Sequence, residues 1–329
     1  MTAPVYSPVP ASPATSAASA IPQKAAALRA GSYRLPLGKK TYILGILNVT
    51  PDSFSDGGRY FSVAEALTQA EKLIAAGADI LDIGGESTSL GSRKIPVQEE
   101  IDRIRPVIAQ LSGRLNVPIS VDTFKPAVAE AALSAGAVII NDIAGLMSDP
   151  RMAEVAARYQ AGVIVMHNAA LYRKGHPAAT VFTNLPQLPD LIVEELRRLP
   201  LLAATRRYLE LGCTRALEAG LSSEQLILDP GIGFGLMTDE SIDLMASLDQ
   251  LQVFDDLKLP VLAGPSRKRF IGELLDRPLE ERAVGTAAAV AAAIARGADF
   301  VRVHDVETVA QTTRVCDAIL RRPRSGGRD

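Results

Sequence analysis

Residues 118–142, PISVDTFKPAVAEAALSAGAVIIND, hold one complete strand–helix–strand unit. Two short β-branched runs, 118–122 and 138–142, flank an alanine-rich segment, 126–134, that opens on Pro126, a residue suited to a first helical turn. Strands joined by a crossover helix run parallel. The alternation repeats in both directions, with strands expected at 42–49, 79–83, 162–167, 226–229, 260–263 and 300–304. Helical patterns fall between them at 97–111, 151–160, 239–248, 282–295 and 308–320, and Ser62 with Glu65 forms a capping box before another. The long connection 169–225 has room for a doubled helix, 188–199 and 201–217. A chain of 329 residues admits one or two domains. Eight such strands favour closure into a barrel over an open doubly wound sheet, which more often stops at about five or six. The expected fold is therefore α/β, a single (β/α)8 TIM barrel spanning 31–322. Residues 31–41 are expected to be a short strand or plug at the barrel bottom, 1–30 a disordered Ala/Pro/Ser-rich tail, and 323–329 a disordered C-terminal tail.

Composition narrows the function class. With 47% hydrophobic and 22% charged residues, the chain reads as a soluble globular protein. Lys and Arg number 35 against 37 Asp and Glu, so bulk charge favours neither nucleic acid nor an anionic membrane, and any anion needs a local site. The longest uncharged apolar run, 283–295, is shorter than the roughly 20 residues that cross a bilayer. The first thirty residues have no Lys or Arg before Lys24 and resemble neither a secretory signal nor a transit peptide, which points to the cytoplasm. Cys213 and Cys316 show neither metal-ligand spacing nor a disulfide framework.

Nearly every expected strand ends in a polar residue: Asn48; Asp82 with Glu86; Asp122; Asn141 and Asp142; His167; Asp229; Ser266; Arg302 and His304. In a barrel these ends converge on one rim, where such folds place their active sites. Asp122, Asn141 and Asp229 offer acceptors and one amide, matching the edge of a flat heterocycle, pterin-like or guanine-like. Lys268 is placed to donate from the opposite side, and the planar Arg302 guanidinium suits stacking. Asn48, Thr88, Arg302, His304 and the Gly84-Gly85 backbone suit a phosphate or pyrophosphate. Ser266, read as the start of a helix after the seventh strand, suits a carboxylate or phosphate. The loop 50–58, TPDSFSDGG, has the Pro and Gly hinges of a mobile lid.

Seven segments in register resemble the dihydropteroate synthases of the folate pathway: GILNVTPDSFSDGG (45–58), LDIGGEST (81–88), ISVDTFK (119–125), INDI (140–143), LDPGIGFG (228–235), GPSRKRFIG (264–272) and RVHDV (302–306). The resemblance implies condensation of (7,8-dihydropterin-6-yl)methyl diphosphate with 4-aminobenzoate, giving dihydropteroate and diphosphate, on a barrel that is usually a homodimer. It further implies that Asp122, Asn141, Asp229 and Lys268 hold the pterin while Arg302 stacks on it. Asn48, Thr88, Arg302 and His304 take the diphosphate, with Asn48 placing Mg²⁺. Phe234, Ser266 and the lid residue Phe54 surround 4-aminobenzoate. Asp56, Lys268 and His304 are the expected catalytic residues, Asp56 because the second carboxylate of the lid suits a developing positive charge. An arylamine is unprotonated at neutral pH, so no general base is assigned.

Three positions depart from the pattern. Ser89-Leu90-Gly91 replace Arg-Pro-Gly, with Arg93 available to compensate; Leu236 replaces a Lys; Asn168-Ala169 replace Met-Gly. All three are expected on the amine-substrate side. Alternative readings are a catalytically weak pterin-binding relative, a pterin-dependent methyltransferase barrel, and a phosphate-binding sugar isomerase. The methyltransferase does not call for both SRK (266–268) and RVH (302–304), and the isomerase calls for Gly-rich turns after the seventh and eighth strands, where SRK and HDV stand.

Overall fold

The structure is a computed structural model that describes residues 23–50, 63–86, 94–179 and 187–321. Eight parallel strands form one sheet: β1 Tyr42–Asn48, β2 Ile80–Gly84, β3 Ile119–Asp122, β4 Ile139–Asp142, β5 Gly162–Met166, β6 Leu226–Asp229, β7 Leu262–Ala263 and β8 Phe300–Val303. Their order is β7-β8-β1-β2-β3-β4-β5-β6. The two edges meet at a single parallel bridge, Leu228 with Val261, where the Leu228 N–H donates to Pro260 O at 2.9 Å. That bridge closes the barrel. Strand β7 is shorter than expected because Pro260 has no N–H to give to a ladder.

Ten helices are described: α1 Val63–Ala75, α2 Val97–Ser112, α3 Pro126–Ser134, α4 Arg151–Arg158, α5 Asp190–Arg197, α6 Leu201–Glu218, α7 Thr238–Ala246, α8 Arg269–Leu275, α9 Ala283–Ala295 and α10 Val306–Leu320. The long connection is indeed doubled, and Pro200 separates α5 from α6. Ser62 of the expected capping box lies outside the described residues. Among the described residues no helix is long and apolar enough to cross a membrane.

Side chains alternate along each strand, and that alternation sorts the barrel into layers. Leu44, Ile80, Ile139, Ile164, Ile227, Leu262 and Phe300 form an apolar lower layer inside the barrel. The opposite parity, including Ile43, Leu81, Val121, Ile140, Val163, Leu228 and Val301, packs outward into the helices. Two residues further along the inward parity come Asp82, Asn141, Met166, Asp229, Gly264 and Arg302. A polar upper layer thus stands on an apolar floor.

The bottom is plugged by a hairpin, Ala27–Ala30 paired antiparallel with Tyr33–Pro36. Leu28 and Ala30 are buried in the lower layer, and the Gly31 N–H donates to Gln160 O at 3.0 Å. The plug expected at 31–41 is present, but it begins earlier than composition suggests. Residues 23–30, assigned above to the tail, are ordered by this docking, and Gln23–Lys24 pairs in parallel with Leu257–Lys258. Residues 1–22 and 322–329 lie outside the described residues.

Candidate active site

The upper layer centres on Arg302, from β8. Its Nε donates to Asp82 Oδ2 at 2.6 Å and its Nη2 to Asp122 Oδ2 at 2.5 Å. Asp82 also accepts from Asn141 Nδ2 at 3.1 Å, which turns Asn141 Oδ1 away as an acceptor. Asp82 Oδ1 and Asn141 Oδ1 are buried without a hydrogen-bond partner among the described residues. Such groups are costly to leave unmade. Across the pocket, Asp229 Oδ1 accepts the Gly231 N–H at 2.8 Å, and Lys268 Nζ stands 4.1 Å above the Phe234 ring. Ile143, Met166 and Phe234 form an apolar patch beside them. The pocket lined by these groups holds about 30 Å³.

Burial dominates the electrostatics. It raises the Asp122 carboxyl to about 7, against the opposing pull of Arg302 and with repulsion from Asp82. Asp229 is raised to about 6 by burial, partly offset by the Gly231 N–H and the Lys268 charge. Burial and the neighbouring Arg302 lower Lys268 to about 8. For Arg302 burial opposes the charge, yet Asp82 and Asp122 outweigh it and hold the guanidinium above its ordinary value.

His304 closes the rim beside Ser266. The Ser266 Oγ accepts the His304 backbone N–H at 3.1 Å and lies 3.0 Å from Nδ1. The hydroxyl proton can turn to Nδ1, which leaves Nε2 as the N–H donor. Desolvation, then the charges of Arg302, Arg267 and Lys268, hold the ring at about 4, so it is neutral at pH 7. Asn48 ends β1 exposed, with only Gly84 between it and Asp122: a Cβ there would lie 3.8 Å from Asn48 Oδ1 and 3.9 Å from Asp122 Oδ2.

Several expectations are corrected. Ser266 does not start a helix; α8 begins at Arg269, and the Ser266 hydroxyl serves His304 instead. Asp142 and His167 sit on the outward parity. Asp142 accepts the Ala144 and Leu146 N–H groups at 2.8 Å each. His167 lies fully buried between Pro230 O, 2.9 Å from Nδ1, and the Tyr172 hydroxyl, 3.0 Å from Nε2. Both brace loops behind the pocket. Asn168 is buried too, bonding Ile143 O and the Ala170 N–H, and Leu236 packs in the outer core. Neither side chain lines the described pocket. Phe54, Asp56, Thr88, Ser89, Leu90, Gly91 and Arg93 lie outside the described residues.

Asp82 was visible only as a strand-end polar residue; its inward parity is what makes it the shared acceptor. Ile143 and Met166 gave no sequence signal, since an apolar residue beside a pocket looks like any core residue. Lys125, quoted above only within a motif, is buried between Glu86 and Glu100, 2.7 Å from each. It ties the β2 end to the β3 end.

Among the described residues no group of three or more His, Cys, Asp or Glu side chains is placed to hold a metal ion. Magnesium needs fewer: it takes oxygen ligands, keeps several waters and commonly rests on one or two protein groups plus substrate phosphates. A lone amide oxygen at Asn48 fits an ion carried mainly by a diphosphate.

Residues 44–304 match the family described as pterin binding enzyme. A dihydropteroate synthase of Bacillus subtilis is 44% identical over 282 residues, covering 86% of this chain and 90% of that protein. A Clostridium difficile dihydropteroate synthase structure determined in the presence of pteroic acid superposes with a TM-score of 0.76 at 38% identity, covering 87% of this chain and 99% of the other. A Xanthomonas albilineans dihydropteroate synthase with 4-aminobenzoic acid gives a TM-score of 0.76 at 37% identity, with 91% and 99% covered. By sequence and by fold, the chain belongs to the pterin binding enzyme family.

Proposed function

We propose that this chain is a dihydropteroate synthase, joining (7,8-dihydropterin-6-yl)methyl diphosphate to 4-aminobenzoate. The observation that carries the reading is the ring of acceptors, the buried Asn141 Oδ1 and Asp229 with the partly buried Asp122, facing Lys268 beside an apolar patch. A pterin edge carries N–H donors for the first three and a carbonyl for the fourth. In the free protein Arg302 and Lys268 fold over the pocket, so the bicyclic ring enters as Arg302 gives up Asp122 and turns its planar face to the ligand.

The reaction breaks the methylene C–O bond, with the electron pair leaving on the diphosphate. The electron-rich dihydropterin stabilises the methylene cation. The arylamine nitrogen then forms the C–N bond and loses its proton to solvent. Asn48 is the residue we assign to Mg²⁺, an ion that neutralises charge on the departing diphosphate when bound. His304 contributes an N–H donor rather than a charge in the free enzyme, and a bound diphosphate favours its protonation. Ser266 fixes its tautomer. Phe234 and Ser266 are assigned to the 4-aminobenzoate side and, on the sequence alone, Phe54 joins them, Thr88 goes to the diphosphate and Asp56 to the developing positive charge.

The test is diphosphate release from the dihydropterin substrate with Mg²⁺, with and without 4-aminobenzoate. Release that requires 4-aminobenzoate, yields dihydropteroate and is inhibited competitively by sulfonamides, which mimic 4-aminobenzoate, is the expected result. Pterin binding without turnover would replace the synthase with a binding relative.

Two features support a homodimer. Helix α9 presents Val284, Ala288, Ala292 and Ala295 outward at helical spacing, and the adjoining α10 presents Val315, Ala318 and Ile319. Val284, Val315 and Ile319 are 79%, 60% and 72% exposed, large apolar side chains left facing outward on two neighbouring helices. Sedimentation as a dimer, shifted to monomer by Ile319→Glu, is expected; a monomeric wild type would reject the assignment. The absence of a spanning helix among the described residues accords with a cytoplasmic enzyme.

A further inference from the structure

Ser266, Arg267 and Lys268 run consecutively after β7, yet their side chains serve different walls of the pocket. Ser266 bonds His304 at the β8 end, and Lys268 lies over Phe234 in the loop after β6. Between them Arg267 has φ +57°, the left-handed region that non-glycine residues rarely occupy. Such a conformation persists only where the surroundings over-determine it.

Two side chains from the start of α9 do so. The Arg267 N–H donates to Thr286 Oγ1 at 3.1 Å, and the Arg267 carbonyl accepts from Arg282 Nη1 at 3.1 Å. Thr286 and Arg282 are four residues apart, on one face of the first helical turn, so one turn of helix grips both sides of one residue. Thr286 is buried. Arg282 is itself fixed, since its Nε donates to Arg277 O at 3.1 Å. Gly272 leaves the room: a Cβ at that position would fall 2.1 Å from Arg282 Nη2.

We propose that Thr286 and Arg282, neither of which lines the described pocket, are positioning residues that lock Arg267 in its left-handed turn and thereby aim Ser266 and Lys268 at the two substrates. This rests on the synthase reading for the identity of the substrates, and on the hydrogen bonds alone for the clamp. Thr286→Val keeps the shape and removes the acceptor. It leaves the Arg267 N–H unsatisfied, and the turn relaxes.

The experiment measures calorimetric binding of pteroic acid and steady-state kinetics on the full chain. Misplacing a site group by an ångström is worth factors of roughly ten to a hundred, so Thr286→Val should weaken pteroic acid by about tenfold and raise KM for both substrates. Thr286→Ser, which restores the hydroxyl, should lie within about twofold of wild type. Arg282→Met, at a half-exposed position, should weaken binding by about fivefold. Wild-type affinity in both Thr286→Val and Arg282→Met overturns the clamp, as does a loss that Thr286→Ser shares in full. A wild-type protein that binds pteroic acid but makes no dihydropteroate rejects the synthase reading alone, because the binding comparison still reads the clamp.

Discussion

Arg302→Met should lower kcat/KM by about a thousandfold and destabilise the free protein by about 2–4 kcal/mol at pH 8. The guanidinium bridges two buried carboxylates, Asp82 and Asp122, at 2.6 and 2.5 Å. Deleting one partner of a buried ion pair strands the other, and here two are stranded. The cost falls below the sum of two such losses because a stranded carboxyl takes a proton. Asp122 already sits at about 7 with Arg302 in place, so without it Asp122 will be protonated through neutral pH. The sign follows: a carboxyl raised in the folded state contributes stability that is present at low pH and lost as pH rises through its folded value. The stability deficit of Arg302→Met should therefore shrink between pH 8 and pH 5, read by urea denaturation at each pH. Catalysis will not recover on acidification, since a protonated Asp122 no longer accepts from the ligand as a carboxylate. Arg302→Lys restores one charge but not the two-pronged geometry, and should remain at least about thirtyfold impaired. Activity of Arg302→Met within fivefold of wild type would remove Arg302 from the site.

Much of this arrangement is legible in the sequence, and the limit of legibility has a physical cause. Short β-branched runs between helical patterns disclosed the barrel, because each strand buries both faces. The polar residues at strand ends disclosed the rim, because a core does not tolerate them. What a linear pattern leaves undetermined is parity. Asn141 and Asp142 are neighbours of similar chemistry, yet Asn141 points into the barrel and Asp142 into the wall; Met166 and His167 divide the same way. A shift of one residue in strand phase exchanges these roles. Asp82 was underrated for the same reason.

The other misreadings come from tertiary context. Ala27 to Ala30 looks like the rest of an Ala/Pro/Ser-rich tail until Leu28 finds the open mouth of the barrel. The turn at Arg267 carries no glycine, so nothing in the sequence marks a left-handed residue; two side chains on α9 impose it. Leu236 and Asn168 differ from the family pattern at positions that suggested the amine site, but both side chains are consumed by packing and loop bonds.

The affinity for 7,8-dihydropteroate should peak near pH 7.5 and fall about tenfold per unit on acidification below about 7, steepening below about 6. Ligand N–H groups are held more strongly by an ionised carboxylate than by a protonated one, and burial has lifted both Asp122, to about 7, and Asp229, to about 6, into this range. The steepening marks the second proton. Above pH 8 the trend reverses as Lys268, lowered to about 8, loses its proton. Loss of fold does not account for the acid limb. Raised carboxyls stabilise the folded state as pH falls and the lowered Lys268 opposes them, so between pH 8 and about 6.5 the free protein should keep its stability while it loses ligand. Only below that do His167 and His304, both held at about 4, act in the opposite direction. Calorimetric Kd and urea midpoints on the same samples separate the two trends. Asp122→Asn should abolish the limb near 7 and keep the one near 6, at a lower affinity throughout. A Kd that stays flat from pH 7.5 to 5 would mean that the buried carboxylates do not accept from the ligand, and the pterin assignment of Asp122 and Asp229 would fall with it.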